Sequence, residues 1–202
     1  MTDERGRTGP GEARTARYQE TYDSILDAAA ALINSEGAHG MTFAAVADAV
    51  GLNTTSITYY FKRKEQLALA CYDRTMARYE TYVDQAAKAD DVAGRIDAFF
   101  AAVFDDLRAV RVGSAPPHAL LLELRTLEEP VKQEALARYR ELFGKIRALL
   151  GRSTDPHEHA RLTGKANVLA ENLFWLPFWI DRYDIADFPR VRRVWSISCC
   201  TV

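Results

Sequence analysis

Thr42-Phe-Ala-Ala-Val-Ala-Asp-Ala-Val-Gly-Leu-Asn-Thr-Thr-Ser-Ile-Thr-Tyr-Tyr-Phe-Lys-Arg-Lys-Glu-Gln-Leu67 is the stretch whose reading decides the fold. Thr42 is an N-cap residue type, and Phe43, Val46, Ala47 and Val50 follow at i, i+3, i+4 and i+7, the spacing that lines one face of a short helix. Gly51 suits a left-handed turn and Asn53 suits a second cap, so another helix is predicted from Thr54 to Phe61. At about 100° per residue, Tyr60 and Phe61 share a side with Ile57, whereas Thr55 and Tyr59 point almost directly away. One face is core; the other is polar but uncharged. Threonines and a tyrosine on such a face can exchange hydrogen bonds with base edges and pack on a thymine methyl in a major groove. Just beyond, Lys62, Arg63 and Lys64, with the N–H groups that open the next helix, form a cluster suited to clamping phosphate. Three basic residues in a row also occur on ordinary solvated surfaces, so the weight rests on the combination of cap, helix, glycine turn, cap, helix and basic exit.

Working outward, Tyr22, Ile25, Leu26, Ala29, Leu32 and Ile33 place one apolar stripe on a preceding helix, which Gly37 and Gly40 close. Residues 1–18 hold three glycines, Pro10 and several charges with almost nothing apolar, and read as a flexible arm. On the other side, a long helix is predicted from Glu65 to about Ala87, long enough to link two domains. Further helices follow over roughly 92–110, 119–126, 129–150 and 157–181, with a last one after Pro189; Pro116, Pro117, Pro130 and Pro156 mark boundaries. No alternation of period two and no internal repeat is present. The chain reads as all-α.

With Arg17 and the helix before it, the segment from Tyr18 to Leu69 strongly resembles the TetR family of bacterial regulators. The family's run has threonine at the start of the second helix, alanine inside it and glycine at the turn. An aliphatic-tyrosine-x-aromatic-phenylalanine stretch, a lysine and a later leucine complete it. Here those places hold Thr42, Ala47, Gly51, Ile57-Thr58-Tyr59-Tyr60-Phe61, Lys64 and Leu67. One departure is Thr58, where the family often carries tyrosine. The resemblance implies a homodimer that binds double-stranded operator DNA, usually a repressor relieved by a ligand, with no cofactor. Joined to the residue reading, it divides the chain into an arm (1–18), a three-helix helix-turn-helix DNA-binding domain (19–68) and a helical effector-binding and dimerisation domain (69–202). Candidate DNA-binding residues are Arg17, Thr42, Asn53, Thr54, Thr55, Ser56, Thr58, Tyr59, Tyr60, Lys62 and Lys64.

The C-terminal part is rich in aromatics, most of which are expected to be core. His118, Glu123, Arg125, Glu171 and Asn172 interrupt apolar helical stretches, where a buried polar group needs a partner. Candidate effector-binding residues are Phe100, Phe104, His118, Leu122, Glu123, Tyr139, Phe143, Asn172 and Trp175, and their bias suggests an apolar small molecule. Leu162, Val168, Leu169, Leu173, Leu176 and Ile180 form a stripe that serves either a partner subunit or the chain's own core. The segment from Val194 to Val202 is short, uncharged and β-branched where an amphipathic dimer helix would be expected.

Composition narrows the remaining classes. A net charge of −2 and a pI near 6.1 mean that any attraction to nucleic acid must be local. No signal peptide or membrane-length apolar run is visible, which predicts a cytoplasmic protein. The three cysteines, Cys71, Cys199 and Cys200, lack disulfide or zinc spacing and read as free thiols. His157 and His159, flanked by Asp155 and Glu158, are read as a helix start with Pro156 in its first turn, not as metal ligands. No nucleophile elbow, phosphate loop or metalloprotease run supports catalysis. Two rival readings stay open: a regulator of this fold answering to a protein partner, and a helical small-molecule-binding protein or enzyme with a fortuitous helix-turn-helix.

Overall fold

The stripe Ile25, Leu26, Ala29, Ala30 and Ile33 is wholly buried, and it lies along α1 (Pro10–Gly40), the first of eight α-helices among the described residues. The computed structural model describes residues 10–201, with side chains over residues 15–196, and shows no strand within that span. Residues 10–18, expected to belong to a flexible arm, are helical; residues 1–9 lie outside the described span. Helix α1 is broken at Gly37, whose φ of 76° and ψ of 167° are open to glycine and strained for any residue with a Cβ.

Helices α2 (Phe43–Ala49) and α3 (Thr54–Tyr60) follow in the predicted places. Thr42 Oγ1 accepts the Ala45 N–H at 3.2 Å, and Asn53 Oδ1 accepts the Ser56 N–H at 2.8 Å, so both caps act as the sequence requires. Gly51, at φ 66°, makes the turn between them; no atom lies within 4 Å of where its Cβ would be, so backbone conformation, not space, demands glycine.

Helix α4 (Lys64–Ala86) leaves this unit and enters a bundle with α5 (Val92–Arg111), α6 (Val131–Leu149), α7 (Pro156–Trp179) and α8 (Phe188–Thr201). It packs on α1 at one end and on α5 and α6 along the rest. Its buried row, Leu67, Cys71, Tyr72, Thr75, Met76, Tyr79 and Val83, is therefore continuous from one core to the other. The helix predicted over 119–126 is instead a 3-10 turn, Leu121–Thr126, reached through an extended segment that carries Pro116 and Pro117. Proline lacks an N–H and biases its predecessor toward extended backbone, which explains why no α-helix starts there.

Candidate functional site

The helix-turn-helix is rigid by local means. Ile57 is fully buried and Phe61 nearly so, which fixes the rotation of α3 and turns Tyr59 outward at 69% exposure, with Thr54 and Thr55 exposed beside it. Thr58 is half-buried: its hydroxyl donates to the carbonyls of Thr55 at 2.8 Å and Thr54 at 3.2 Å, turning back on its own helix. Ser56 and Asn53 are absorbed in the cap, the serine hydroxyl donating to Asn53 Oδ1 at 3.0 Å. Tyr60 is half-buried in an aromatic cluster with Tyr18 and Tyr22 of α1, its ring 4.8 Å from that of Tyr18. The expected DNA-binding residues from Asn53 to Tyr60 thus divide into outward residues (Thr54, Thr55, Tyr59) and residues that build the helix (Asn53, Ser56, Thr58, Tyr60).

The basic exit divides in the same way. Lys62 Nζ donates to the Thr58 carbonyl at 3.0 Å and Arg63 is exposed, so both lie at the end of α3. Lys64 Nζ reaches 3.1 Å from the His39 carbonyl and ties the start of α4 to the end of α1. Arg17 is exposed on α1, one residue before Tyr18, which approaches the Tyr59 ring edge-on at 6.4 Å. Tyr18 was missed by sequence reasoning; the signal was its i, i+4 spacing from Tyr22, with which it stacks.

Behind this unit, the expected effector residues do not line one chamber. Phe100 is fully buried against Phe99 and Trp195 and is a packing residue, while Trp175 stands half exposed on α7 beside Phe178. The Asn172 amide donates to the Val168 carbonyl of its own helix at 2.8 Å. Leu122 and Tyr139 meet Glu171 and Phe174 around a small cleft of about 120 Å³, with the Phe143 ring 6.3 Å from that of Tyr139 and outside the cleft's lining. Phe104 lines an open groove of about 580 Å³ between α5 and the start of α8, and His118 lines a third cleft of about 290 Å³. Glu123 does something else: its carboxylate lies 3.4 Å from the Ala38 N–H and 3.1 Å from where a Cβ on Gly37 would sit, so it packs against the kink of α1.

Of the stripe on α7, Leu162, Leu169, Leu173, Leu176 and Ile180 are buried in the chain's own core, and only Val168 faces out. The odd C-terminal segment is helical through Thr201, and Ser196 is buried; side chains beyond it, including Cys199 and Cys200, lie outside the described span. Cys71 is a free thiol, buried, with burial pushing it up to about 12. Asp155 Oδ1 caps α7 by accepting the Glu158 N–H at 2.8 Å, Pro156 occupies the first turn, and the His159 ring lies 3.0 Å from the Arg147 guanidinium, the arrangement of a helix start.

Residues 25–71 match the family described as bacterial regulatory proteins, tetR family. The helix-turn-helix is a TetR-family domain. No curated protein matches the sequence. Among solved structures, a TetR-family transcriptional regulator from Agrobacterium tumefaciens superposes with a TM-score of 0.66 at 20% identity, over 89% of this chain and 97% of that one. FadR from Bacillus subtilis, solved with stearoyl-CoA, gives 0.57 at 17% identity over 86% and 96%. AibR, solved with isovaleryl coenzyme A and operator DNA, gives 0.60 at 20% identity over 78% and 86%. The TetR fold therefore extends across the chain, C-terminal half included, and no helix among the described residues is long and apolar enough to cross a membrane.

Proposed function

We propose that this TetR-fold protein is a sequence-specific, homodimeric DNA-binding transcription repressor that occupies a pseudo-palindromic operator and is released by an apolar small molecule. The observation that carries the reading is the outer face of α3: Tyr59 at 69% exposure with Thr54 and Thr55 beside it, held at a fixed rotation by Ile57 and Phe61 and followed by Lys62 and Arg63. A large, half-apolar hydroxyl on a rigid helix is poorly placed in water and well placed against base edges. Flanking cations supply the phosphate contacts that set register.

Dimerisation is supported by Val168, Trp175 and Phe178 on α7, all exposed where a monomer gains nothing from exposing them. Release by a small molecule is supported by the clefts of the helical half, and by relatives of the same fold solved with acyl-CoA molecules. Helix α4 is the connecting lever, since it packs on α1 and continues into the bundle. The ligand must favour the conformation whose recognition helices are misplaced, because equal affinity for both states shifts nothing.

Selection from random duplexes with the full chain tests the core of the proposal. The expected product is a two-fold symmetric motif with half-sites about one helical turn apart, or a multiple of it. Enrichment of no motif, or of a single asymmetric half-site bound by a monomer, overturns it.

A further inference from the structure

Tyr59 stands largely in water, where a side chain ordinarily samples several rotamers, and each rotamer would carry its ring to a different part of a groove. Two neighbouring rings restrict that choice. Tyr60 packs against it at 5.3 Å and 88°, and Tyr18 of α1 at 6.4 Å and 76°, both in the edge-to-face geometry that aromatic pairs favour. Tyr18 and Tyr60 close the triangle, 4.8 Å apart. Tyr18 also stacks on Tyr22 at 6.3 Å, and Tyr22 stacks on the buried Phe61 at 5.3 Å. A row of rings therefore runs from the core of the DNA-binding unit to the most exposed aromatic on its surface.

Much rests on how that ring is held. The Thr58 hydroxyl is turned back on the Thr54 and Thr55 carbonyls and the Ser56 hydroxyl on Asn53, which leaves Tyr59 the largest side chain on the outer face of α3. Tyr60 shares a helix with Tyr59, whereas Tyr18 reaches it from another element and is, among the described residues of α1, the one in ring contact with it. We propose that Tyr18 is a positioning residue for DNA recognition: from α1 it fixes the rotamer of Tyr59, so that base selectivity on α3 depends on a residue outside the helix-turn-helix. The proposal deepens the reading of the outer face of α3 as the base-reading surface and rests on it. A ring that wanders in the free protein must be immobilised on DNA, which weakens the complex; a ring already held avoids that loss.

A half-exposed tyrosine at this place has two other roles to be set against this one, and each leaves its own mark. A phosphate contact through the Tyr18 hydroxyl would be lost in Tyr18→Phe and would weaken all sequences alike. The positioning role uses the ring, so Tyr18→Phe preserves it. Plain packing would show in stability and not in base choice. Tyr22 supplies the comparison, since it packs on Tyr18, Tyr60 and Phe61 and makes no ring contact with Tyr59 among the described residues.

Selection from random duplexes, followed by titration of the selected operator, tests this on the full-length protein. Tyr18→Ala should bind the operator about three- to tenfold more weakly, the loss expected when one side chain must be ordered on binding, and relax preference at the same base positions as Tyr59→Ala. Tyr18→Leu, which keeps apolar bulk on Tyr22 and Tyr60 but is too short to reach Tyr59, should relax the same positions with a smaller loss of melting temperature. Tyr18→Phe should keep the parent's affinity and selectivity. Adding Tyr18→Ala to Tyr59→Ala should weaken operator binding no further, because Tyr18 then has nothing to position. In the free protein, the Tyr59 χ1 couplings should move towards rotamer averaging in Tyr18→Ala while those of Ile57 stay in place. Tyr22→Leu should lower the melting temperature and leave base preference intact. A uniform loss in Tyr18→Phe, additive losses in the double variant, or relaxed preference in Tyr22→Leu overturns the inference. The two readings separate at Tyr59→Ala: unchanged selectivity there sinks the base-reading face and this inference with it. Relaxed selectivity in Tyr59→Ala beside intact selectivity in Tyr18→Ala sinks this inference alone.

Discussion

The two halves of the molecule differ in how far along the chain most of their polar groups reach for partners. In the helix-turn-helix the bonds are short in sequence: Thr42 to Ala45, Asn53 to Ser56, Thr58 to Thr54 and Thr55, and Lys62 to Thr58 all span three or four residues. The C-terminal half has such local bonds too, at Asp155 and Asn172, and adds long ones: Asn34 to His118 spans 84 residues, Thr75 to Ala119 44, Arg95 to the Leu149 carbonyl 54, Arg111 to the Tyr183 carbonyl 72, and Arg192 to Asp97 95. A unit stapled by local bonds keeps its shape wherever its neighbours move, as the proposed reading head requires. A unit held by distant bonds changes shape when one of them is lost, as the proposed sensor requires.

The largest effect separating the two is expected at Asp106. Removing it leaves His118 without its partner and Arg78 with only its bonds to the Pro116 carbonyl and Tyr82, and Asp106→Ala should cost about 3 kcal/mol in urea unfolding. Asn53→Ala, which removes a local cap, should cost about 1 kcal/mol. A reversed order would mean that the distant bonds do not carry the sensing half. Next comes Tyr59→Ala: operator affinity should fall by about 1 to 3 kcal/mol with relaxed base preference. Its melting temperature should stay put because the side chain is 69% exposed. Unchanged selectivity would remove Tyr59 from the reading face.

A pH series sharpens the contrast further. Burial holds the folded His118 ring below the value near 6.5 it has in the unfolded chain, so between those two values the unfolded state binds the extra proton. Its contribution is present above about pH 6.5 and is lost as pH falls through the folded value. Melting temperature should decline on acidification from neutrality, and His118→Phe should flatten that slope whatever it does to the plateau. The smallest effect is electrostatic. Arg63→Ala should weaken specific and non-specific DNA binding alike and lower the salt slope by about one unit. Lys64→Ala, whose ammonium holds the His39 carbonyl, should show in folding stability as well as in the salt slope.

The same contrast explains which features are legible in the sequence. Caps, the glycine turn and the rotation of α3 obey rules that act within four residues, so Thr42, Gly51, Asn53 and Ile57 could be placed by reading along the chain. The sensing half obeyed the same rules only where it is locally built, as at Asp155 and Pro156. Phe100 and Trp175 are both candidate effector-binding residues by sequence, yet one is core and the other surface, because an aromatic at helical spacing says nothing about which neighbour covers it. Asn34, Thr75, Arg78 and Asp106 drew no notice, since each finds its partner tens of residues away. His118 was singled out correctly as a polar group needing a partner, and half of that need is met by Asp106.

The distribution of aromatics has an optical consequence. All three tryptophans, Trp175, Trp179 and Trp195, belong to α7 and α8, where the indoles of Trp179 and Trp195 lie 4.6 Å apart. The helix-turn-helix contains none and carries instead the tyrosine cluster of Tyr18, Tyr22, Tyr59 and Tyr60. Light absorbed at the red edge of the indole band therefore reports on the sensing half alone, while tyrosine emission reports chiefly on the reading head and the long helix behind it. The unlabelled protein is its own two-channel fluorophore, able to show in one cuvette whether a compound reaches the bundle and whether the news arrives at the DNA.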